Sequence, residues 1–431
     1  MTRPDARAPN PAPPTRLRRC APAFACLIGL AALPQAAGAA DLGGDCCADL
    51  EERVAELEAT TARKGNRKVS LTVSGWVNQA VFFWDDGVES NAYVGTNGLE
   101  QDRFRFLGEA KISSDWAAGY ILEIGLNGAD SKTFSQASDG TGNNLQHRKS
   151  AWFVKSKDLG KLTVGKFDPA TYHLIDNVDM LLTRNVSDYE AAGVAIGAFQ
   201  IRTGGNPVGT TRWIDIMGGF QNSSPGQSGL RNVVRYDTPT LAGFVGSASW
   251  GEDDQWELAL NYRNDIGDWK INGSIGYGES TDPVTNGGQC TSTGASGDCQ
   301  WWAAGALVQH IPTGIYVYGG YGLNQIDLNP GVVADDEAET WYVQAGIERK
   351  WFPLGKTNVF GEYRKDNVGL SKGADSSDLD LWAAGIVQNI EAADMSFYAV
   401  YRHYEGDITD GGATTNLDDF DMVITGAKIN F

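Results

Sequence analysis

From Val69 to the end of the chain, apolar and polar side chains take turns. Val69, Leu71, Val73 and Val77 alternate with Ser70, Thr72, Ser74 and Asn78, and Phe104, Phe106, Ala110 and Ile112 alternate with Arg103, Arg105, Glu109 and Lys111. Trp116, Ala118, Tyr120, Leu122, Ile124 and Leu126 share one face. Trp256, Leu258, Leu260 and Tyr262 alternate with Glu257, Asn261 and Arg263, and Trp269, Ile271, Ile275 and Tyr277 with Lys270, Asn272 and Ser274. A period of two marks a β-strand with unlike faces. The pattern predicts strands near 69–83, 103–112, 116–127, 148–156, 161–167, 231–236, 241–251, 256–263, 269–279, 301–311, 315–324, 340–350, 357–364, 379–390, 395–405 and 419–431. The chain is therefore all-β. Alternation by itself serves a soluble sandwich as well as a barrel with lipid outside and water inside.

Connection lengths separate the two. Short links at 113–115, 157–160, 237–240, 264–268, 312–314, 351–356 and 391–394 take turns with longer polar ones at 85–101, 128–146, 280–300, 325–339, 366–378 and 406–418. The exception is 252–255, short where a long link is due. Short periplasmic turns opposite long extracellular loops are the habit of a transmembrane antiparallel β-barrel. Trp116, Trp269, Trp351 and Phe352 sit beside the turns, where an interfacial girdle is needed, and Val423, Thr425, Ala427 and Ile429 alternate up to Phe431, a terminal aromatic that reads as an assembly signal.

Residues 168–230 break the rhythm. As one connection between an upward and a downward strand, they leave sixteen strands with both ends periplasmic. If 194–201 and 211–220 instead make a barrel hairpin, parity requires eighteen. Sixteen is the preferred count. A loop longer than its span requires is often functional, and this one is expected to fold into the channel.

Before the strands, Arg16, Arg18 and Arg19, the apolar run 21–33 and Ala37-Gly38-Ala39-Ala40 make a secretory leader over 1–40. Residues 41–68 read as a short periplasmic helix at 49–62, with Leu50, Val54 and Leu57 on one face, followed by the basic linker 63–68. Residues 69–431 form the barrel domain. The chain has a net charge of −19; the leader carries five Arg and one Asp, so its loss leaves −23. That acidity excludes a nucleic-acid partner and suits loops among cation-bridged lipopolysaccharide. No mature segment has the ~18 apolar residues of a membrane helix. Of six cysteines, Cys20 and Cys26 lie in the leader, Cys46-Cys47 stays unassigned, and Cys290 and Cys299 flank a Gly/Ser/Thr-rich tip that a disulfide would close.

The candidate chemistry is electrostatic. The first part of 168–230 is acidic, with Asp168, Asp176, Asp179, Asp188 and Glu190. The framing strands carry Arg103, Arg105, Arg148, Arg231 and Arg235 on the channel side. Acids on an inward loop facing a basic wall would set a transverse field at a constriction, and such charges govern ion selectivity. No enzyme constellation appears: His147, His173, His310 and His403 lack metal-ligand spacing to one another or to Cys, and there is no nucleophile elbow or phosphate loop. No cofactor or metal is expected. The acidic runs 335–339 and 418–421 read as solvated faces.

Several stretches stand out: Cys46-Cys47-Ala48-Asp49-Leu50-Glu51-Glu52-Arg53-Val54-Ala55-Glu56-Leu57 with Arg67-Lys68-Val69-Ser70-Leu71, Lys111-Ile112-Ser113-Ser114-Asp115-Trp116, Val234-Arg235-Tyr236-Asp237-Thr238-Pro239, Lys350-Trp351-Phe352-Pro353-Leu354-Gly355-Lys356 and Tyr401-Arg402-His403-Tyr404-Glu405. Together they resemble the alphaproteobacterial porin family of rhizobia and brucellae. The likeness spans the mature chain. It implies a trimeric, sixteen-stranded, water-filled outer-membrane channel for small hydrophilic solutes, with the third extracellular loop folded inward. A general diffusion channel is the expected function; a substrate-specific channel and a plugged, adhesive surface barrel are the alternatives. The likeness is thinnest over 168–230, so the constriction residues rest on the charge argument alone.

Overall fold

The period-two runs are strands, and they close on themselves. In the computed structural model the described residues are 68–140, 142, 144–190, 196–217, 224–251, 254–281, 295–369 and 374–431. In chain order the barrel strands are β1 (Thr72–Asp85), β2 (Arg103–Lys111), β3 (Trp116–Asn127), β4 (Asn144–Ser156), β5 (Gly160–Phe167), β6 (Arg231–Asp237), β7 (Phe244–Gly251) and β8 (Gln255–Ile266). They continue as β9 (Trp269–Ser280), β10 (Ala295–His310), β11 (Ile315–Leu328), β12 (Glu337–Phe352), β13 (Gly355–Val368), β14 (Ser376–Ile390), β15 (Met395–Asp410) and β16 (Phe420–Asn430). Each pairs antiparallel with its neighbours in sequence, and β1 pairs with β16 from Trp76↔Asn430 to Asp85↔Asp421, closing a barrel of sixteen strands. Two shorter strands join the same sheet, Ser90–Thr96 beside Gln79–Asp85 of β1 and Ala413–Asn416 beside the end of β15.

The eighteen-strand alternative fails on pairing. β5 and β6 bond directly, from Lys161↔Asp237 to Phe167↔Arg231, leaving no gap for another hairpin. A hairpin does form in this segment, but at Gln200–Thr203 and Asn206–Arg212 rather than 194–201 and 211–220, Trp213–Ile216 being a helical turn, and its strands pair with each other in a separate sheet. Residues 168–230 are therefore one connection, the third on the extracellular side.

Outward positions form the belt the alternation predicts: Val73, Val77, Trp152, Val234, Leu258, Leu260, Ile275, Val317, Val343, Val359 and Ile386 are all exposed. Trp256 packs on Tyr277, Trp302 on Tyr321, Tyr321 on Trp341 and Tyr363 on Trp382, with ring centroids 4.3–5.4 Å apart. These rings make a girdle near the extracellular ends of β8–β14. Trp116, Trp269, Trp351 and Phe352, also exposed, stand at the opposite rim. No helix among the described residues is long and apolar enough to cross a membrane.

Several strands run further outward than alternation shows. β10 starts at Ala295, β12 at Glu337, and β15 reaches Asp410. Above the lipid both faces are wet, so the hydrophobic period lapses while the backbone ladder continues. The expected leader, the helix at 49–62, Cys46-Cys47 and Cys290 lie outside the described residues. Cys299 is buried beside Trp301 and Ile326 and is disulfide-bonded.

Candidate functional site

The first half of the third loop is strapped to the inner wall. Ala170 N–H donates to Ser249 Oγ (2.9 Å), and Thr171 donates through N (2.7 Å) and Oγ1 (2.8 Å) to Glu257. Trp301 Nε1 reaches Thr171 Oγ1 at 2.9 Å, Ser274 Oγ bonds the Leu174 carbonyl at 2.8 Å, and Asn272 bonds that of Val178 at 2.9 Å. Further on, Leu182 N–H donates to Glu348 (2.8 Å), Ser187 Oγ to Glu362 (2.6 Å) and Gln344 to the Ser187 carbonyl (3.0 Å). Arg402, paired with Glu362 at 2.7 Å, donates to the Val186 carbonyl at 3.0 Å, and Arg364 donates to that of Tyr189. The loop thus follows the lumen face from β7 to β15. Its return is equally close: Gly226 (φ +80°) donates to Asn324 (2.8 Å), and a Cβ there would meet the Trp302 carbonyl at 2.5 Å, so only glycine fits.

The second half is apolar. Ile196, Phe199, Ile201, Trp213, Ile216 and Met217 are buried in one cluster with Phe82 and Trp84 of β1, Leu379 and Leu381 of β14, Tyr404 of β15, and Phe420, Met422 and Ile424 of β16. Phe199 lies 4.9 Å from Phe420 and 5.0 Å from Trp84. The hairpin is held from outside by Asp86 and Glu89, which pair with its Arg202 at 2.7 Å each, and by Asp418, which accepts from Gly204 (2.9 Å) and Gly205 (2.7 Å).

The basic wall adjoins the start of the strapped half. Arg103 and Arg105 share the lumen face of β2, and Glu123 of β3, fully buried, lies between the bases. Arg105 bonds it, Arg148 pairs with it at 2.8 Å, and Arg103 stands 3.8 Å from it and 3.6 Å from Glu100. Arg148 gets there through a β-bulge: Glu123 pairs with Lys149 and Ile124 with His147, leaving Arg148 as the extra residue. Two consecutive bases therefore face the lumen, which a regular strand forbids. Lys149 pairs with Asp168 at 2.7 Å, and Arg148 donates to the Tyr172 hydroxyl at 3.0 Å. Arg235 sits at the loop's root, paired with Asp237 at 2.8 Å and donating to the carbonyls of Asp168 (3.1 Å) and Pro169 (3.0 Å). Arg231 opens β6 beside Phe167.

The expected loop acids are satisfied mainly within the loop. Asp168 alone has an ion pair to a wall base among the described residues, and that base is Lys149. Asp176 accepts from His173 (2.8 Å) and Gln227 (3.1 Å), and Glu190 lies 3.2 Å from His173. Asp188 pairs with Arg184 at 2.8 Å and caps the Glu190 N–H at 2.9 Å. Asp179 accepts from Leu181 N–H and Thr183 Oγ1, each at 2.9 Å. Burial pushes Asp179 up to about 7. Burial, together with the neighbouring Asp176, pushes Asp188 well above the usual carboxylate range. Glu190 is also raised by burial, against the pull of His173. Glu100 goes the other way: burial raises it, but Arg103, Lys428, Arg184 and His173 together outweigh that and hold it at about 2.

The consequence lies in what meets water. The side chains of Asp176 and Asp188 are 0% exposed and that of Asp168 21%, whereas Arg105 and Arg184 are 30% and 22% exposed and Arg103 and Arg148 only 11% and 8%. The two most exposed of these charges are bases. Sequence reasoning missed Glu123, Lys149, Arg364, Arg402 and Lys428. Alternation puts Glu123 on the polar face of β3, yet one polar residue on a wet face carries no signal. The bulge hides Lys149, and Arg364 and Arg402 gain their role only once the loop covers them. His173, Asp176 and Glu190 bring ligand-capable atoms within 4.8 Å of one another, as do His403, Glu405 and Asp419 near the rim. In the first group the His173 hydrogen bonds already account for the arrangement.

Known structures of the same architecture are barrels of this class. The anion-selective porin from Comamonas acidovorans superposes with a TM-score of 0.56 at 16% identity, covering 84% of this chain and all (100%) of that one. OmpT of Vibrio cholerae gives 0.51 at 15%, covering 85% and 99%, and OmpF of Salmonella typhi in complex with daunomycin gives 0.52 at 14%, covering 85% and 99%. No curated protein sequence matches the chain. The model of the Gram-negative porin family matches residues 24–409, nearly the whole chain. A closed barrel with a wet, charged lumen and a loop strapped inside it is what that family uses for passive diffusion, and this chain belongs to the Gram-negative porin family as a diffusion channel of the outer membrane.

Proposed function

We propose that the chain is a general diffusion porin, working as a homotrimer, whose constriction favours anions. The carrying observation is that the most exposed of the wall and loop charges named above, Arg105 and Arg184, are bases, while Asp176 and Asp188 are sealed inside the loop. Arg103, Arg105 and Arg148, with Lys149, supply the selective wall, and Arg184 adds a base from the loop side. Asp168, Asp176, Asp179, Asp188 and Glu190 hold the loop in shape, while Arg231 and Arg235 flank its return. The anion-selective porin from Comamonas acidovorans supports the sign, and the trimer form of OmpT from Vibrio cholerae supports the assembly. The stretches quoted above support an origin among alphaproteobacterial porins. Residues 1–40 act as the export leader and 41–68 as a periplasmic helix and linker. Small hydrophilic solutes cross down their gradients, without cofactor.

The test is a reversal potential in planar bilayers under a salt gradient, with purified protein inserting in steps of three. The wild type is expected to pass chloride over potassium. Reversing Arg103→Glu and Arg105→Glu together is expected to invert the preference. An unchanged potential in the double variant would remove the wall from the constriction.

A further inference from the structure

Three cations on the lumen wall converge on one indole ring. The guanidinium carbons of Arg103 and Arg105 lie 5.1 and 4.5 Å from the centroid of Trp76, and Lys428 Nζ lies 4.4 Å from it. They come from both sides. β1 carries Trp76 in register with Arg103 of β2, and two residues on, Asn78 is in register with Lys428 of β16. The ring is buried, and its orientation is fixed because Nε1 donates to the Gln101 carbonyl at 2.9 Å. Asn78 donates to the Glu100 carbonyl at 3.1 Å, which ties the segment after Ser90–Thr96 down beside the ring. A tryptophan face attracts cations through its quadrupole. Like charges repel, so three of them share a small area only where something negative lies between. Glu123 serves that end for Arg103 and Arg105 from the β3 side. The indole face serves it from the β1 side and brings Lys428 into the same patch.

We propose that Trp76 is a specificity-determining residue of the channel, positioning Arg103, Arg105 and Lys428 as one cationic patch at the constriction. It carries no charge and acts through the bases. This inference rests on the anion-preferring reading above. Without the ring, Arg103 closes its 3.8 Å gap to Glu123, to which Arg105 is already bonded, and Lys428 extends into water. The charges are all still present, but an anion no longer meets them together.

The experiment compares Trp76→Leu, Trp76→Phe and the double variant Arg103→Gln/Arg105→Gln with the wild type. The readout is the anion-to-cation permeability ratio, on protein whose heat-resistant electrophoretic mobility shows that it has folded. Loss of an aromatic face is expected to lower the ratio about threefold in Trp76→Leu, and retention of one is expected to keep Trp76→Phe near the wild type. A purely structural role would make both variants lose folded protein and leave the ratio of the surviving channels alone. If the arginine double variant shifts the ratio and Trp76→Leu does not, the inference about Trp76 falls while the anion-preferring reading stands. If the arginine variant does not shift it either, the reading falls and takes the inference with it.

Discussion

Glu123 is the residue on which the basic wall depends. Its fully buried carboxylate faces Arg103, Arg105 and Arg148, with Lys149 adding to the same field. Removing one member of a buried ion cluster leaves charge without compensation and typically costs about 3–5 kcal/mol. Glu123→Gln keeps the shape and removes the charge, so two effects are expected. Thermal unfolding should come at lower temperature, and the anion-to-cation permeability ratio should rise, because three guanidiniums lose their shared counter-ion. A ratio equal to the wild type would mean the cluster stands outside the ion path. At this scale the sequence could name bases but not their setting. Arg103 and Arg105 were visible because two arginines alternate with phenylalanines. Arg148 was visible as a base, but not the bulge that brings it round beside Lys149.

The loop 168–230 was legible as an interruption, and its acidic first half as a candidate for the lumen. What it does there depends on burial, which alternation cannot report. A second consequence of burial also escaped. Phe82, Trp84, Leu379, Leu381, Met422 and Ile424 stand on lumen faces that a water-filled barrel should keep polar, and they are apolar because Phe199, Trp213 and Ile216 cover them. The strapping also makes the loop's seating pH-dependent. Asp179, 1% exposed, is raised from 3.8 to about 7. A carboxyl raised on folding contributes stability that is complete below its unfolded pKa and is lost as pH rises through the folded one. Its contribution falls as pH rises from about 4 to about 7. The loop should therefore be held more firmly at pH 5 than at pH 8. Asp179→Asn, which keeps an acceptor for the Leu181 N–H, should flatten that difference. Hydrogen exchange of the Leu181 and Thr183 amides at the two pH values checks it; an equal pH response in wild type and variant would show that Asp179 is not the titrating group.

For the whole molecule, the sixteen strands were legible because lipid enforces alternation on every one of them, and parity left a single place for the irregular segment. The seam that closes the barrel was hinted at by the last residue alone. β1 and β16 join ends separated by the entire domain, and pairing at such sequence distance is slow to form. Phe431 makes the final link: its N–H donates to the Gly75 carbonyl at 3.0 Å and its carbonyl accepts from the Gly75 N–H at 2.9 Å. Its ring stays exposed at the periplasmic rim, where an aromatic anchors to the interface. Deleting Phe431 removes two backbone hydrogen bonds, each worth about 1 kcal/mol, together with that anchor. The predicted outcome is a smaller fraction of chains reaching the heat-resistant folded form, read by electrophoresis without boiling. The permeability ratio of the channels that do form should match the wild type, because every charge proposed to set it is still present. Gly75→Val should reproduce the defect by another route, since a Cβ at residue 75 would meet the Phe431 ring at 2.7 Å and the Arg103 carbonyl at 2.2 Å. Full folding yield after deletion of Phe431 would place the seam's closing energy elsewhere along the ladder from Trp76 to Asp85.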